Sequence, residues 1–227
     1  MKKLLCVFVC LASLLMLLCS CQSSAPSNSE DTATSLTSVQ NKAKMISEPA
    51  NTEWKTAYLD YIEQLESIST YKHAFSLAYV DGDDIPELYI RGICEADGDI
   101  VCSYKNGQVI EQNLSRMCGG WYIERSGKLA NQNGHMGLCY TNVYELDENG
   151  FTELLSALSI EHVRSFEDES GNYNYDFYYE YSVEDQSVSE EDYNAAIHAV
   201  FDFEKAVKFD ENVVPHDIIK QKIIDCK

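Results

Sequence analysis

Positive charge is what this chain has least of. Its 227 residues carry 17 Lys and Arg against 37 Asp and Glu. Lys2 and Lys3 both fall in the first twenty residues, which hold no acid. The rest of the chain therefore sets 15 basic against 37 acidic side chains, a formal charge of −22. A surface of that sign repels phosphate backbones, which argues against nucleic acid as a partner. It equally argues against attraction to anionic lipid by charge alone.

Catalytic signatures are also lacking. The sequence has no Gly-x-Ser-x-Gly, no phosphate-binding loop and no His-Glu-x-x-His. No Cys-x-x-Cys or paired Cys/His spacing suggests zinc. His135 and Cys139 lie near each other in sequence, and His73, His162 and His198 are scattered, but no cysteine-protease signature surrounds any of them. A glycosidase needs only two facing carboxylates, and 37 acids neither support nor exclude such a pair. The expectation is a protein that is not an enzyme, with a carboxylate-dependent cell-wall or glycan hydrolase as an alternative.

Long apolar runs are absent as well. Leu4 to Leu18 is interrupted only by Ser13 but spans 15 residues, short of the ~20 that a spanning helix needs. Preceded by Lys2 and Lys3, it has the build of a signal peptide over residues 1–20. Leu18-Cys19-Ser20-Cys21 follows and resembles the bacterial lipobox. That resemblance implies that Cys21 receives a diacylglyceryl thioether and becomes the N-terminus after cleavage. The chain would then be held at the cell membrane on its extracytoplasmic face, because two acyl chains on one residue anchor stably where one is marginal. Residues 21–46 contain the lipidated Cys followed by a stretch dominated by Ser, Thr, Ala, Asn and Gln. That composition buries too little surface to offset chain entropy and reads as a tether. Residues 47–227 remain as one globular domain.

Within that domain the periodicity predicts an α+β fold. Trp54, Tyr58, Tyr61, Ile62, Leu65 and Ile68 form one apolar stripe at helical spacing, which gives an N-terminal amphipathic helix over 51–68. Short β-rich segments follow at 74–80, 87–94, 100–105, 108–112, 120–125, 137–146, 150–158, 162–167 and 173–182. Asp97-Gly98 and Asn106-Gly107 are dipeptides that tight hairpins prefer, so a mostly antiparallel meander is expected. Ser189 with Asp192 forms a capping box before Tyr193, Ala196, Ile197, Val200 and Phe201. A last helix is expected over 216–225.

The most concrete chemical hint is Tyr79 to Ile90, with Asp81, Asp83, Asp84 and Glu87 close together. Neither register of an EF-hand loop completes its ligand set, since the glycine and the twelfth-position acid are missing. The stretch resembles the Asp-rich Pro-Glu-Leu turns of secreted bacterial proteins and FG-GAP repeats, with Tyr79 in place of the first Asp and Asp84 in place of a Gly. Two readings stand: a calcium site through Asp81, Asp83 and Glu87, or a structural turn fixed by Pro86 and the Asp side chains. The expectation is no cofactor, with calcium as the alternative.

Tyr173, Tyr175, Phe177, Tyr179 and Tyr181 alternate along one strand face. They form either the core side of a sheet or an exposed aromatic row able to stack on sugar rings or a protein. The core reading is expected. On the exposed reading, Tyr173, Tyr175, Tyr179 and Tyr181 are a recognition surface for a cell-surface protein or glycan. Besides Cys21, five cysteines remain after cleavage: Cys94, Cys102, Cys118, Cys139 and Cys226. They are expected to be mostly free and buried, with Cys94 and Cys102 facing each other across a hairpin. Trp54, the acidic Pro-Glu-Leu turn and the Ser-Glu-Glu-Asp-Tyr helix are together similar to uncharacterised lipoproteins of Gram-positive anaerobes. That resemblance implies location and no activity. The function expected is a membrane-anchored lipoprotein with a non-catalytic interaction role, and a calcium- or glycan-dependent recognition module is the alternative.

Overall fold

In the computed structural model, which describes residues 52–227, two antiparallel sheets lie face to face with helices on their outer faces. The chain opens with α1 (Glu53–Ile68), then β1 (Ala74–Ala78), β2 (Glu87–Arg91), β3 (Asp99–Lys105) and β4 (Gln108–Leu114). Next come β5 (Gly119–Ile123), β6 (Lys128–His135), β7 (Leu138–Asp147), β8 (Gly150–Glu167), β9 (Tyr173–Val183) and β10 (Gln186–Val188). It closes with α2 (Glu190–Val200), β11 (Val207–Lys208), β12 (Val214–Pro215) and α3 (His216–Asp225). The first sheet runs β12-β1-β2-β3-β4 and the second β10-β9-β8-β7-β6-β5-β11.

The α+β expectation is corrected. Strand accounts for 47% of the described residues and helix for 25%, so the fold is mostly antiparallel β with three helices. Two stretches tip the balance. Polar β6, with Asn131, Gln132 and Asn133, lacks the residues that favour strands, yet it lies between β5 and β7. In addition, β8 runs unbroken for 18 residues where two shorter strands were expected.

Strict alternation builds the two faces of the first sheet. Phe75, Leu88, Ile90, Cys102 and Tyr104 point outward to α1 and α3, where Trp54, Tyr58, Ile62, Ile219 and Ile223 cover them. Ala78, Tyr89 and Val101 point inward and meet Leu129 and Leu146 of the second sheet. Each fully buried side chain of this kind contributes about 1.5–3 kcal/mol. The second sheet's far face carries Ala130, Val143, Leu155 and Ala157, and α2 covers it with Tyr193, Ile197 and Phe201.

Turns follow their chemistry in part. Asn106 and Gly107 take φ of 52° and 81° between β3 and β4, the left-handed pair that a tight hairpin requires. Asp97-Gly98 does not form such a turn. Strand β2 stops at Arg91, which pairs with Asp99, and a longer loop with a 3₁₀ turn at Glu95–Asp97 joins the strands. Cys94 is therefore exposed in that loop while Cys102 is buried against α1, so the two do not face each other. All five cysteines from Cys94 onward are free thiols, and Cys102 alone among them is buried.

Candidate functional site

The acidic turn between β1 and β2 is neutralised from within. Asp81 accepts the backbone N–H of Asp83 at 3.1 Å, and Asp83 accepts that of Ile85 at 2.7 Å. Lys105, carried to the end of β3 by the Asn106-Gly107 hairpin, donates to Asp81 and, at 2.7 Å, to Asp83. Burial disfavours the Lys105 charge, but the two carboxylates outweigh it and its pKa rises. The turn is also pinned to the β5–β6 hairpin: Arg125 N–H donates to the Tyr79 carbonyl and Gly127 N–H to that of Val80, both at 2.8 Å. The Arg125 guanidinium lies 4.7 Å from the centre of the Tyr79 ring.

Glu87 does not join Asp81 and Asp83. It shares the inward face of β2 with Tyr89, is fully buried, and accepts the Val80 N–H at 2.8 Å and the Ser103 hydroxyl at 3.0 Å. Burial is the main cause that pushes its carboxyl up from 4.5 to about 7, with Asp81 adding to it; the two hydrogen bonds and Lys105 oppose the rise. Among the described residues, no group of three or more His, Cys, Asp or Glu side chains is placed to hold a metal. Lys105, which the sequence reading did not include, supplies the positive charge between Asp81 and Asp83.

The aromatic row lies elsewhere. Strand β7 accompanies β8 only as far as the Leu138–Ile160 pair, and β10 pairs only with Tyr181 to Val183 of β9. Beyond those points β8 and β9 pair only with each other, from Glu161 opposite Tyr179 to Glu167 opposite Tyr173, apart from one bond from the Glu161 N–H to the Gly137 carbonyl at 2.6 Å. Seven such pairs make a two-stranded arm of about 20 Å. Its tip is tied by Asp168, whose Oδ1 accepts the N–H groups of Ser170 and Asn172, both at 2.9 Å.

Both faces of the arm carry aromatic side chains. Tyr173, Tyr175, Phe177 and Tyr179 share one face and are 73%, 66%, 55% and 50% exposed, with Val163 opposite Phe177. Phe166 and Tyr178 lie on the other face, where the Tyr178 ring stacks on His162 at 4.8 Å. The expectation that the row is the core side of a sheet is thus overturned for these residues. Tyr181 differs: it is half-buried, 5.1 Å from the Tyr193 ring of α2. At 11 residues α2 is about 16 Å long, and its cover ends there.

Acids border the aromatic groups. Glu161, Glu167, Asp168, Glu169, Asp176 and Glu180 lie on the arm with Arg164 as its single Lys or Arg. Tyr179 donates to Glu161 at 2.7 Å, and His162 approaches Glu180 at 3.3 Å. Val163, Phe166 and Tyr178 were not singled out in the sequence. The signal that finds them is the pair of long β-rich runs joined by Asp-Glu-Ser-Gly-Asn, which together read as one hairpin. Cys21, the leader and the tether lie outside the described residues. Comparison with known proteins finds no matching family model, no matching curated protein and no matching solved structure.

Proposed function

We propose that the protein is a lipid-anchored extracytoplasmic recognition module without catalytic activity, and that the β8–β9 arm is its contact surface. Cys21 carries the lipid, residues 22–46 hold the domain off the bilayer, and the arm engages an extended ligand. One observation carries this reading: a two-stranded ribbon leaves four aromatic rings of one face uncovered beyond the end of α2. A two-stranded ribbon is marginal in water by itself, and contiguous apolar groups without cover mark interaction surfaces.

The ligand class that fits is a neutral glycan chain. Flat rings in a row stack on the apolar faces of sugar rings, while Glu161, Ser165 and Glu167, which stand opposite Tyr179, Tyr175 and Tyr173 on the same face, accept from or donate to hydroxyls. The acidic border repels anionic polymers. The turn at Asp81 and Asp83 then has a structural role, closing the β1–β2 connection against Lys105 and Arg125, and needs no calcium.

The test is sedimentation of the protein with an insoluble neutral polysaccharide, comparing the natural chain with Tyr173→Ala/Tyr175→Ala/Tyr179→Ala. Binding by the natural chain that is lost in the variant, at unchanged melting temperature, supports the arm as the site. Equal binding by both removes it.

A further inference from the structure

We propose that Met117, Cys118, Met136 and Cys139 form a binding site for a soft monovalent cation of the Cu(I) class. These residues line a pocket of about 390 Å³ at the base of the arm, together with Gly134 and His135. The described residues contain two methionines, and both are in this pocket. Two of their five cysteines are there as well. Such a concentration of thiol and thioether sulfur is not what packing alone produces, because Met136 is 89% exposed and Met117 is 43% exposed.

The sheet brings the sulfurs together. Gly134 on β6 stands opposite Cys139 on β7, and Cys118 immediately precedes β5, the neighbour of β6 on its other side. A Cβ placed on Gly134 would lie 3.6 Å from the Cys118 Sγ and 3.6 Å from the Cys139 Cα. The Cys118 sulfur and the Cys139 backbone therefore both lie within contact distance of that position, with the Leu138 carbonyl oxygen nearer still at 3.0 Å, so a side chain there would crowd this end of the pocket. On the other side of Cys139, β8 contributes Ser159 and then Glu161, and β9 contributes Tyr179.

Met136 occupies an unusual position. It is the first residue of the two-residue turn between β6 and β7, with φ of 51°, and Gly137 follows at 84°. The corresponding turn between β3 and β4 has Asn at that position, the residue that tolerates left-handed backbone. A methionine there accepts local strain and gains no burial. Its gain on this account is a thioether held at the mouth of the pocket.

The donor set selects the ion. Thiolate binds Cu(I) and zinc alike, but thioether suits Cu(I) and is not among the thiolate, imidazole and carboxylate ligands of zinc, so the two methionines select the ion. On binding, Cys118 and Cys139 each release a proton to solvent and form a sulfur–metal bond, so a neutral dithiol plus M⁺ becomes a singly negative complex plus 2H⁺. No electron is transferred.

The site borders the arm at Glu161 and Tyr179 but requires no glycan, and it is tested without one. The reduced full-length chain is titrated with Cu(I) under anaerobic conditions against a chromophoric Cu(I) chelator, and compared with Cys118→Ser, Cys139→Ser and Cys94→Ser. The expected result is that each of the first two variants binds one equivalent fewer than the natural chain. Cys94→Ser, which alters an exposed thiol outside the pocket, loses none. Met117→Leu/Met136→Leu keeps the stoichiometry and competes less well with the chelator. A second readout needs no variant: alkylation of the natural chain by iodoacetamide, followed by peptide mass spectrometry, with and without Cu(I). Protection of Cys118 and Cys139 together, with Cys94 unprotected, is expected. Unchanged stoichiometry in Cys118→Ser and Cys139→Ser, or equal alkylation of both thiols with and without the ion, overturns the proposal.

Discussion

Glu87→Gln tests the energetics of the interior most sharply. Glu87 is fully buried between the sheets, and its carboxyl titrates near 7 against 4.5 when free. Above 4.5 the unfolded chain gives up this proton, while the folded chain keeps it until about 7. Unfolding in that window releases a proton, so stability contributed by the group falls as pH rises through it and levels off above about 7. At ~1.4 kcal/mol for each pH unit, the loss amounts to about 3 kcal/mol. Glutamine keeps the geometry: its oxygen accepts the Val80 N–H, its NH₂ donates to the Ser103 hydroxyl, and it has no proton to lose. The assay is urea unfolding of both chains from about pH 4.5 to above 7, reading the difference between them so that every other titrating group cancels. Glu87→Gln should gain on the natural chain by about 3 kcal/mol across that range, or about 6–12 °C in melting temperature for a domain of this size. A difference that stays flat with pH would refute the claim that Glu87 is a desolvated carboxyl.

The other predictions concern separate parts of the molecule. Tyr58→Ala removes a fully buried ring from the contact of α1 with the first sheet and should cost about 3–5 kcal/mol in denaturant unfolding. Lys105→Ala leaves Asp81 and Asp83 facing each other without their cation and should cost about 2 kcal/mol; the natural chain should melt at the same temperature in calcium and in EDTA. Glu66 runs the opposite way from Glu87. Burial opposes its charge, but Lys72 and His73 more than compensate and hold its carboxyl at about 2. Its stabilisation is therefore complete above 4.5 and lost as pH falls towards 2, and Glu66→Gln should flatten the acid limb of the unfolding curve. Cys21→Ala should abolish fatty-acid labelling and leave the precursor uncleaved; persistent labelling would remove the anchor.

Much of the framework was legible because local periodicity and core contact coincide. The Trp54, Tyr58 and Ile62 stripe is the buried face of α1, although Ile68 at its end is exposed. Ser189 accepts the Asp192 N–H as a capping residue should. What escaped depends on partners far along the chain. Asn131 makes β6 look too polar for a central strand, yet it is buried because its side chain bonds to both backbone groups of Ser115 and to the Gly119 carbonyl. The tyrosine alternation is the same whether a face is covered or bare. Only the length of α2 decides that Tyr181 is packed while Tyr173, Tyr175, Phe177 and Tyr179 are not. Likewise Asp81, Asp83 and Glu87 look like one ligand set in sequence. The pleat sends Glu87 inward between the sheets, and a lysine eighteen residues further on takes up the other two.

The central claim is that the arm is covered when the protein is at work. Hydroxyl-radical footprinting, read by peptide mass spectrometry on the purified chain and on the same chain in place on intact cells, measures this directly. Tyr173, Tyr175, Phe177 and Tyr179 should be modified readily in the purified protein and protected on cells, while exposed Tyr71 in the connection between α1 and β1 is modified equally in both. Equal modification of the arm in the two settings would contradict the assignment of β8–β9 as the contact surface.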